Sequence, residues 1–423
     1  MQSFLADTRP LRDAHFRRLW TANIVTVIGA QLTVVAVPAQ IYLITGSSAY
    51  VGLTGVFGLV PLIVFGLWGG ALADVLDRRT LLVATTVGLI ATSSLFWVQA
   101  ALGLDNVWLL LGLFSVQQAF FAVNQPTRSA VIPRLLPTHL LPAANSLNMT
   151  VMQAGAIGGP LIAGALIPVF GFQWLYLIDM LTLVPTLSAV LSLPRLPIEG
   201  TTGTLGIGAV IDGFRYLGGQ PVLLMSFLVD IIAMVFGMPR ALFPEMAQLD
   251  FGGPAGGGFA FALLFAGIPI GAVLGGIFSG WVSRIERQGL AVLACVIVWG
   301  LAMTGFGVAV AAADLARGPF LVLATSMLVV GGAADMASAA FRTSMLQSAA
   351  ADDVRGRLQG VFTVVVVGGP RIADVAPGTV AAGAGAAATA AGGGILVVVA
   401  TVLAALAFPA FVRYRIRVDA DPA

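Results

Sequence analysis

The stretch GGALADVLDRR at residues 69–79 lies between two long apolar runs, and a related stretch, GGIFSGWVSRIER, occupies residues 275–287. Gly276 follows Gly70 at an offset of 206 residues. A short turn of Gly, Asp and Arg between apolar runs, present twice in one chain, predicts two related membrane halves. Duplicated halves of this kind are a common design of membrane transporters.

Two further pairs of similar sequence stretches occur in the same order along the chain. FFAVNQPTRSAVIPRLLP at 120–137 resembles ASAAFRTSMLQSAAADD at 337–353, and GGP at 158–160 returns at 368–370. Three pairs of similar stretches, with nearly the same offset between the members of each pair, indicate a duplication. We therefore expect four parts: a six-helix bundle at 1–193, a cytoplasmic linker at 194–220 with room for a short amphipathic helix, a second six-helix bundle at 221–412, and a cytoplasmic tail at 413–423.

The composition is that of a membrane protein, with 58% hydrophobic residues, 9% charged residues and a mean hydropathy of +0.98. Soluble domains carry roughly 25% charged residues, so most of this chain must contact lipid or other apolar helices. Runs of about 20 apolar residues rich in Gly and Ala predict helices, because barrel strands would alternate polar and apolar residues. The sequence predicts an all-α polytopic membrane protein with twelve spans in two pseudo-symmetric bundles: 21–44, 50–73, 80–102, 107–126, 146–168, 174–193, 221–246, 258–282, 290–312, 319–341, 358–380 and 388–411.

The distribution of arginine predicts the orientation. The 21 basic residues are all arginine, and all but Arg240, Arg317 and Arg371 fall in segments that are cytoplasmic if both termini are inside. This bias follows the positive-inside rule, so we expect a multi-pass protein of the inner or plasma membrane with both termini cytoplasmic. The first twenty residues are too polar for a cleaved signal peptide. The arginines are spread thinly through short loops, which excludes nucleic-acid binding.

The twelve spans and the loop at 69–79 resemble the major facilitator superfamily, whose loop motif runs roughly Gly-x-Leu-Ala-Asp-x-x-Gly-Arg-Arg. Asp77 stands where that family usually has glycine. The resemblance implies a conformational latch that holds the inner face shut, carried by Gly70, Asp74, Arg78, Arg79 and Arg284. The second copy has Gly280 at the position of Asp74, so it lacks the latch carboxylate. The alternative is that these charges only anchor the loop among lipid headgroups.

Glycine-rich stretches in spans 5 and 11 resemble the glycine-proline motif of the superfamily's antiporters. Glycines on one helical face allow close helix packing, and proline bends a helix. The residues assigned to this packing are Gly155, Gly159, Pro160, Gly369 and Pro370. Ordinary packing of a Gly-rich membrane helix is the alternative. AANSLN at 143–148, GFRYL at 213–217, VRGRLQGVF at 354–362 and GGPRIAD at 368–374 resemble the efflux branch that includes enterobactin exporters and the macrolide-type and Tap-type multidrug pumps.

Ionisable residues inside the predicted spans are the candidates for proton coupling, because each costs roughly 2.5–3.5 kcal/mol at the centre of a membrane helix. Asp230 is the first choice, since it lies about 13 Å into span 7 at 1.5 Å per residue and has no cation next to it in sequence. A carboxyl that only hydrogen-bonds a neighbouring helix is the alternative. Asp374, Asp335 and Asp179 are weaker candidates, the last two because they lie nearer the ends of their spans.

Arg371 and Asp374 are three residues apart on one helical face and can neutralise each other. The alternative is that Arg371 contacts an anionic substrate or exchanges partners with Asp230. Uncharged polar residues suited to a binding cavity are Gln31, Gln117, Gln118, Asn148 and Gln153. Many drug antiporters have an arginine in the middle of span 4, where this chain has Gln117, Gln118 and Asn124.

The sequence has no enzyme-like constellation. Its one cysteine, Cys295, can form neither an internal disulfide nor a metal site, and no phosphate-binding Gly-Lys-Ser/Thr sequence is present. We expect no catalytic residues, cofactor or metal. The predicted function is proton-coupled export of a siderophore or a hydrophobic drug-like compound by a monomer that alternates access to a central site. A nutrient importer of the same fold and a transport-inactive scaffold or sensor are the alternatives.

Overall fold

The protein is all helical in the part that the computed structural model describes, which comprises residues 7–194, 215, 219–349, 371 and 373–415. No strand occurs in these residues. Eleven of the described helical segments are long and apolar enough to cross a membrane. The predicted all-α polytopic fold is therefore confirmed. The remaining predicted span, 358–380, lies mostly outside the described residues, which include only its positions 371 and 373–380.

The first half contains six long helices, and local signals set several of their ends. Asn106 caps α4, because its side-chain oxygen accepts from the backbone N–H groups of Trp108 and Leu109 at 3.0 and 3.1 Å. Gly171 separates α5 from α6 with a φ of +77°, which glycine adopts without strain. The helices are α1 (Ala14–Thr45), α2 (Ser48–Val75), α3 (Arg78–Ala101), α4 (Val107–Leu135), α5 (Leu141–Phe170) and α6 (Phe172–Leu191).

The second half is more broken than its hydropathy predicts. Its helices are α7 (Pro221–Gly237), α8 (Phe243–Leu249), α9 (Phe259–Ile277), α10 (Gln288–Ala311), α11 (Arg317–Ala349), α12 (373–384), α13 (Ala386–Ala407) and α14 (Pro409–Val412). The predicted span 221–246 corresponds to one candidate membrane span, Pro221–Leu249, but its helix is interrupted after Gly237. Met238 has an extended conformation (φ −97°, ψ 105°) and precedes Pro239, which disfavours the helical conformation in the residue before it. Pro409 ends α13 at Ala407 in the same way.

The two halves use the same pairs of helices for packing. In the first, α6 packs on α1 and α3, and α3 packs on α4. In the second, α13 packs on α7 and α10, and α10 packs on α11. Numbered as spans, the pairs 1 with 6, 3 with 6 and 3 with 4 in the first half correspond to the pairs 7 with 12, 9 with 12 and 9 with 10 in the second half. This repeated arrangement is what a duplicated bundle requires.

The described residues form two compact units. The first unit holds 7–45, 57–194 and 255–262, and the second holds 46–56, 215, 219–254, 263–349, 371 and 373–415. The main change from one unit to the other along the chain falls inside the predicted linker at 194–220. In the first unit, Leu19, Leu82 and Val131 belong to a buried apolar cluster to which α1, α3, α4 and α6 contribute. The domain boundaries at 193 and 221 stay a prediction.

Candidate functional site

A buried ion pair joins two helices of the second unit. The guanidinium of Arg342 on α11 pairs with the carboxylate of Asp230 on α7, and the two side chains are only 7% and 6% exposed. Arg342 Nη2 also lies 3.8 Å from Asp335 Oδ1, and the Asp335 side chain is 33% exposed. Asp335 and Arg342 are seven residues apart on α11, so they share one helical face. One arginine therefore lies within ion-pair distance of two acids, one buried and one partly open to solvent.

Arg342 is a member of this group that the sequence interpretation did not name as a candidate. α11 continues past the predicted end of span 10 at 341 as far as Ala349, and the Arg342 side chain is buried. Its assignment to a cytoplasmic segment stays a prediction. The structure pairs Asp230 with Arg342, and an exchange of partners between Asp230 and Arg371 during transport stays a prediction. The signal that could have found Arg342 was the spacing of Asp335, Ser338 and Arg342 on one face of an apolar run.

A second charged group in this unit surrounds Asp374 on α12. Asp374 is 6% exposed, and the positive charges of Arg240 and Arg371 both attract it. Gly52, grouped in the same unit, lies against the Asp374 carbonyl oxygen, which a Cβ on Gly52 would meet at 2.8 Å. The predicted electrostatic partnership of Arg371 with Asp374 fits this placement, and Arg240 is an addition that sequence spacing did not indicate. Gly369 and Pro370 lie outside the described residues.

The first unit holds a buried carboxylate with a different environment. Asp179 is 2% exposed, and its Oδ2 accepts hydrogen bonds from Thr33 on α1 and Ser93 on α3, each at 2.8 Å. Gln117 on α4 donates to the Ser93 oxygen at 3.5 Å. Asp179 is the eighth of the 20 residues of α6. Thr33 and Ser93 donate through neutral hydroxyls, in contrast to the arginine that faces Asp230.

A second polar network lies among the same helices. Tyr176 donates to Gln40 Oε1 at 2.8 Å, and Gln99 donates to the same oxygen at 3.1 Å. On α4, Asn124 donates to the hydroxyls of Thr85 and Thr86 at 2.8 and 3.3 Å. Gln40, Gln99 and Tyr176 lie near one end of α1, α3 and α6, whereas Thr85 and Thr86 lie toward the other end of α3. Their hydrogen bonds join α1, α3, α4 and α6.

The remaining predicted cavity residues are spread over three helices. Gln31 on α1 packs against Gly159 on α5, where a Cβ would collide with the Gln31 side chain, and Gly155 packs against Val27 in the same way. The assigned packing glycines of α5 therefore face α1, and Pro160 beside them is buried. Gln118 is also buried, and Asn148 and Gln153 on α5 are half-buried.

The loop between α2 and α3 is held by hydrogen bonds inside the first unit. Arg78 donates to the Ala130 carbonyl of α4 at 3.0 Å, and Arg79 donates to the Leu191 carbonyl at the end of α6 at 2.6 Å. Asp77 caps α3, because its Oδ2 accepts from the Thr80 backbone N–H at 3.3 Å. The residue that departs from the family pattern thus has a local role.

The side chain of Asp74, to which the latch was assigned together with Gly70, lies outside the described part of the chain. Arg284, the counterpart of Arg78, is exposed at the end of a 3-10 turn, Ser279–Arg284.

An acidic cavity of about 430 Å³ lies in the second unit, between the end of α8 and the segment 384–391. Glu245 and Asp250 contribute its carboxylates. Burial raises the pKa of Asp250 to about 6, and the negative charges of Glu245 and Asp314 act in the same direction. The described residues contain no group of three or more His, Cys, Asp or Glu side chains suited to a metal ion.

A family model described as transmembrane secretion effector matches residues 5–415, which is nearly the whole chain. The chain belongs to the transmembrane secretion effector family of the major facilitator superfamily. Enterobactin exporter EntS of Shigella dysenteriae serotype 1 (strain Sd197) is 27% identical over 368 residues, which cover 87% of this chain and 85% of that protein. Membership of this superfamily agrees with the resemblance of the loop at 69–79.

Solved structures of this superfamily's fold match nearly the full length. A mutant of the nucleoside transporter NupG has a TM-score of 0.74 at 12% identity and covers 94% of this chain and 99% of its own. A bacterial homologue of the iron transporter ferroportin, in an inward-facing state, has a TM-score of 0.69 at 14% identity, with coverages of 97% and 100%. At these identities the likeness establishes the fold alone.

Proposed function

We propose that this protein is a secondary active transporter that exports a siderophore or a hydrophobic drug-like compound in exchange for protons. It works as a monomer in the cell membrane, with both termini cytoplasmic, by alternating access. Similarity to enterobactin exporters over 87% of the chain supports export and the siderophore class. The Gly-rich packing face of α5 and the buried charges of the second unit support exchange against protons.

The observation that carries proton coupling is the position of Arg342 between Asp230 and Asp335. A carboxylate and an arginine that are both desolvated stabilise each other only while both are charged. A proton that reaches Asp230 removes one charge, so Arg342 is left with Asp335, the more exposed acid, as its partner. The contact between α7 and α11 then depends on protonation, which is the requirement for a proton to drive a conformational change.

Substrate contact is assigned to the polar residues that do not take part in that switch. Gln31, Gln117 and Gln153 offer amide groups on three helices of the first unit, and Arg371 offers a positive charge to an anionic substrate such as a siderophore. The latch at Asp74, together with the loop arginines, would hold the inner face shut during export. The competing assignment is that Arg371 pairs with Asp374 and has a structural role alone.

Everted membrane vesicles test the direction and the energy source together. Vesicles that contain the protein are given an imposed pH gradient, acid inside, and either enterobactin or a hydrophobic cationic dye. Accumulation of one probe that requires both the protein and the gradient, and that a protonophore abolishes, supports proton-coupled export. Loss of either probe from preloaded vesicles would indicate import, and no protein-dependent flux of either probe would favour the scaffold or sensor alternative.

A further inference from the structure

A groove lies between α1 and α6 in the first unit, at the ends of these helices that are predicted to be cytoplasmic. The helices pack closely at Gly29, where a Cβ would meet the Asp179 backbone at 3.0 Å. One turn away, the Thr26 hydroxyl bonds the Thr182 carbonyl at 2.8 Å and the Thr186 hydroxyl at 2.6 Å. Beyond these bonds, a cavity of about 410 Å³ lies between the next turns of α1 and α6.

One end of the groove is polar and positively charged. Arg18, Thr21, Ser188 and Ser192 line it. Arg18 is exposed, and no hydrogen bond or ion pair joins its guanidinium to the described residues. The Thr21 and Ser192 hydroxyls donate to backbone carbonyls of their own helices, so their oxygen lone pairs remain for other partners. The groove therefore presents an unpaired cation beside three hydroxyl groups.

The other end of the groove is apolar. Ala22, Val25, Pro185 and Ala189 line it, and Val25 is 44% exposed. Both α1 and α6 are long and apolar enough to span the membrane, so this surface lies at the depth of lipid acyl chains. Arg18 lies three residues before the predicted start of span 1, which places its charge at the headgroup level.

We propose that the groove binds one anionic phospholipid, with its phosphate at Arg18 and the Ser188 hydroxyl and one acyl chain along Val25 and Pro185. A basic pocket between membrane helices is the kind of site that takes anionic headgroups. Free phosphate would use the polar end alone and leave the apolar wall uncovered. Arg79, which donates to the Leu191 carbonyl, offsets the negative end of the α6 dipole beside the headgroup. The site lies within one unit and does not depend on the transport mechanism.

Native mass spectrometry of the purified protein tests the proposal with phosphatidylglycerol and phosphatidylcholine of the same acyl chains. We expect the wild type to retain phosphatidylglycerol in preference to phosphatidylcholine. Arg18→Gln should weaken phosphatidylglycerol binding about fivefold, which is the effect of one arginine near an anionic lipid surface. Arg12→Gln is the matched control, because it removes an exposed arginine of the same segment that does not line the groove.

A second variant separates the groove from a general charge effect. Ser188→Trp places a large ring in the groove from an exposed position, and it should lower retention of both lipids while the protein remains folded. Equal retention of phosphatidylglycerol by the wild type and Arg18→Gln would overturn the proposal. Equal losses in Arg18→Gln and Arg12→Gln would also overturn it, as would displacement of the lipid by millimolar inorganic phosphate.

Discussion

Asp230 on α7 and Arg342 on α11 form an ion pair, and each side chain is less than a tenth exposed. Two opposite charges in such a place stabilise the protein chiefly by compensating each other, because either one alone would be a desolvated charge. The pair therefore links the packing of α7 on α11 to the charge of a group that can take up a proton. The first two predictions follow from this link.

Replacement of Asp230 tests coupling. Asp230→Asn keeps a hydrogen-bond acceptor of the same size but cannot exchange a proton, so gradient-driven accumulation of the substrate probe should be lost while equilibrative exchange continues. Transport into vesicles with and without a pH gradient measures both activities. Asp105→Asn, which changes an exposed loop acid, is the control and should leave both unchanged. Unchanged accumulation in Asp230→Asn would remove Asp230 from the coupling mechanism.

Replacement of Arg342 tests the ion pair itself. Arg342→Gln leaves Asp230 as an uncompensated buried charge, so we expect a loss of about 3–5 kcal/mol in stability. The double variant Asp230→Asn with Arg342→Gln has no buried charge at either position and should recover most of that loss. Cys295 is the single cysteine and is buried, so labelling by a thiol-reactive dye during heating reports unfolding. Additive losses in the double variant would contradict the pair.

The packing of α5 on α1 gives a matched pair of glycine variants. A Cβ on Gly159 collides with Gln31, whereas a Cβ on Gly158 meets no atom within 4 Å. Gly159→Ala should cost about 1–3 kcal/mol through overpacking. Gly158→Ala should be neutral or stabilise the helix by about 0.5–1 kcal/mol, because alanine has less backbone entropy to lose. Melting of the two variants by the same dye assay compares them, and equal melting temperatures would contradict the close approach.

The two hydroxyls that donate to Asp179 predict how that position tolerates change. Asp179→Asn retains an oxygen that can accept from Thr33 and Ser93, so the loss in stability should be small. Asp179→Leu removes the acceptor and leaves two buried hydroxyls unsatisfied, at about 1–3 kcal/mol each. Thermal unfolding of the two variants at one pH measures both losses in stability. A larger loss in the asparagine variant than in the leucine variant would show that the negative charge, and not the acceptor, matters there.

Asp250 predicts a pH effect on stability. Its folded pKa is raised to about 6, above the usual 3.8, because burial and the charges of Glu245 and Asp314 disfavour the carboxylate. The folded state therefore binds the proton more tightly than the unfolded state. The destabilisation caused by the charged Asp250 carboxylate is absent below about pH 4 and complete above about pH 6. Asp250→Asn should raise the melting temperature at pH 7.5 and have little effect at pH 4. The opposite order would contradict the raised pKa.

Hydropathy predicted the spans of this chain well because lipid requires long runs of apolar, internally hydrogen-bonded residues. The same measure could not see the break at Met238 and Pro239, since both residues are apolar enough to continue a span. Gly171 and Asn106 lie at helix ends where turn and cap chemistry is local, and such ends are recognisable in sequence.

The candidate site was predicted less completely than the fold. Asp230, Asp374 and Asp179 were found because a carboxyl in an apolar run stands out. Of their charged partners only Arg371 was named, because Arg342 and Arg240 come from distant segments, and the sequence does not encode which helix faces pack together. Arg342 directly follows the predicted end of span 10 at 341, so the sequence interpretation counted it with the loop residues.

Arg78 and Arg79 donate to carbonyl groups of α4 and α6 in the first unit, and the Asp77 cap on Thr80 lies in the same unit. The junction of α2 and α3 is therefore fixed to α4 and α6 by bonds that any rigid movement of that unit leaves unchanged. This gives spectroscopists an internal standard. Spin labels placed near Thr80 and near the end of α6 should report one constant distance, against which distances to the second unit can be calibrated.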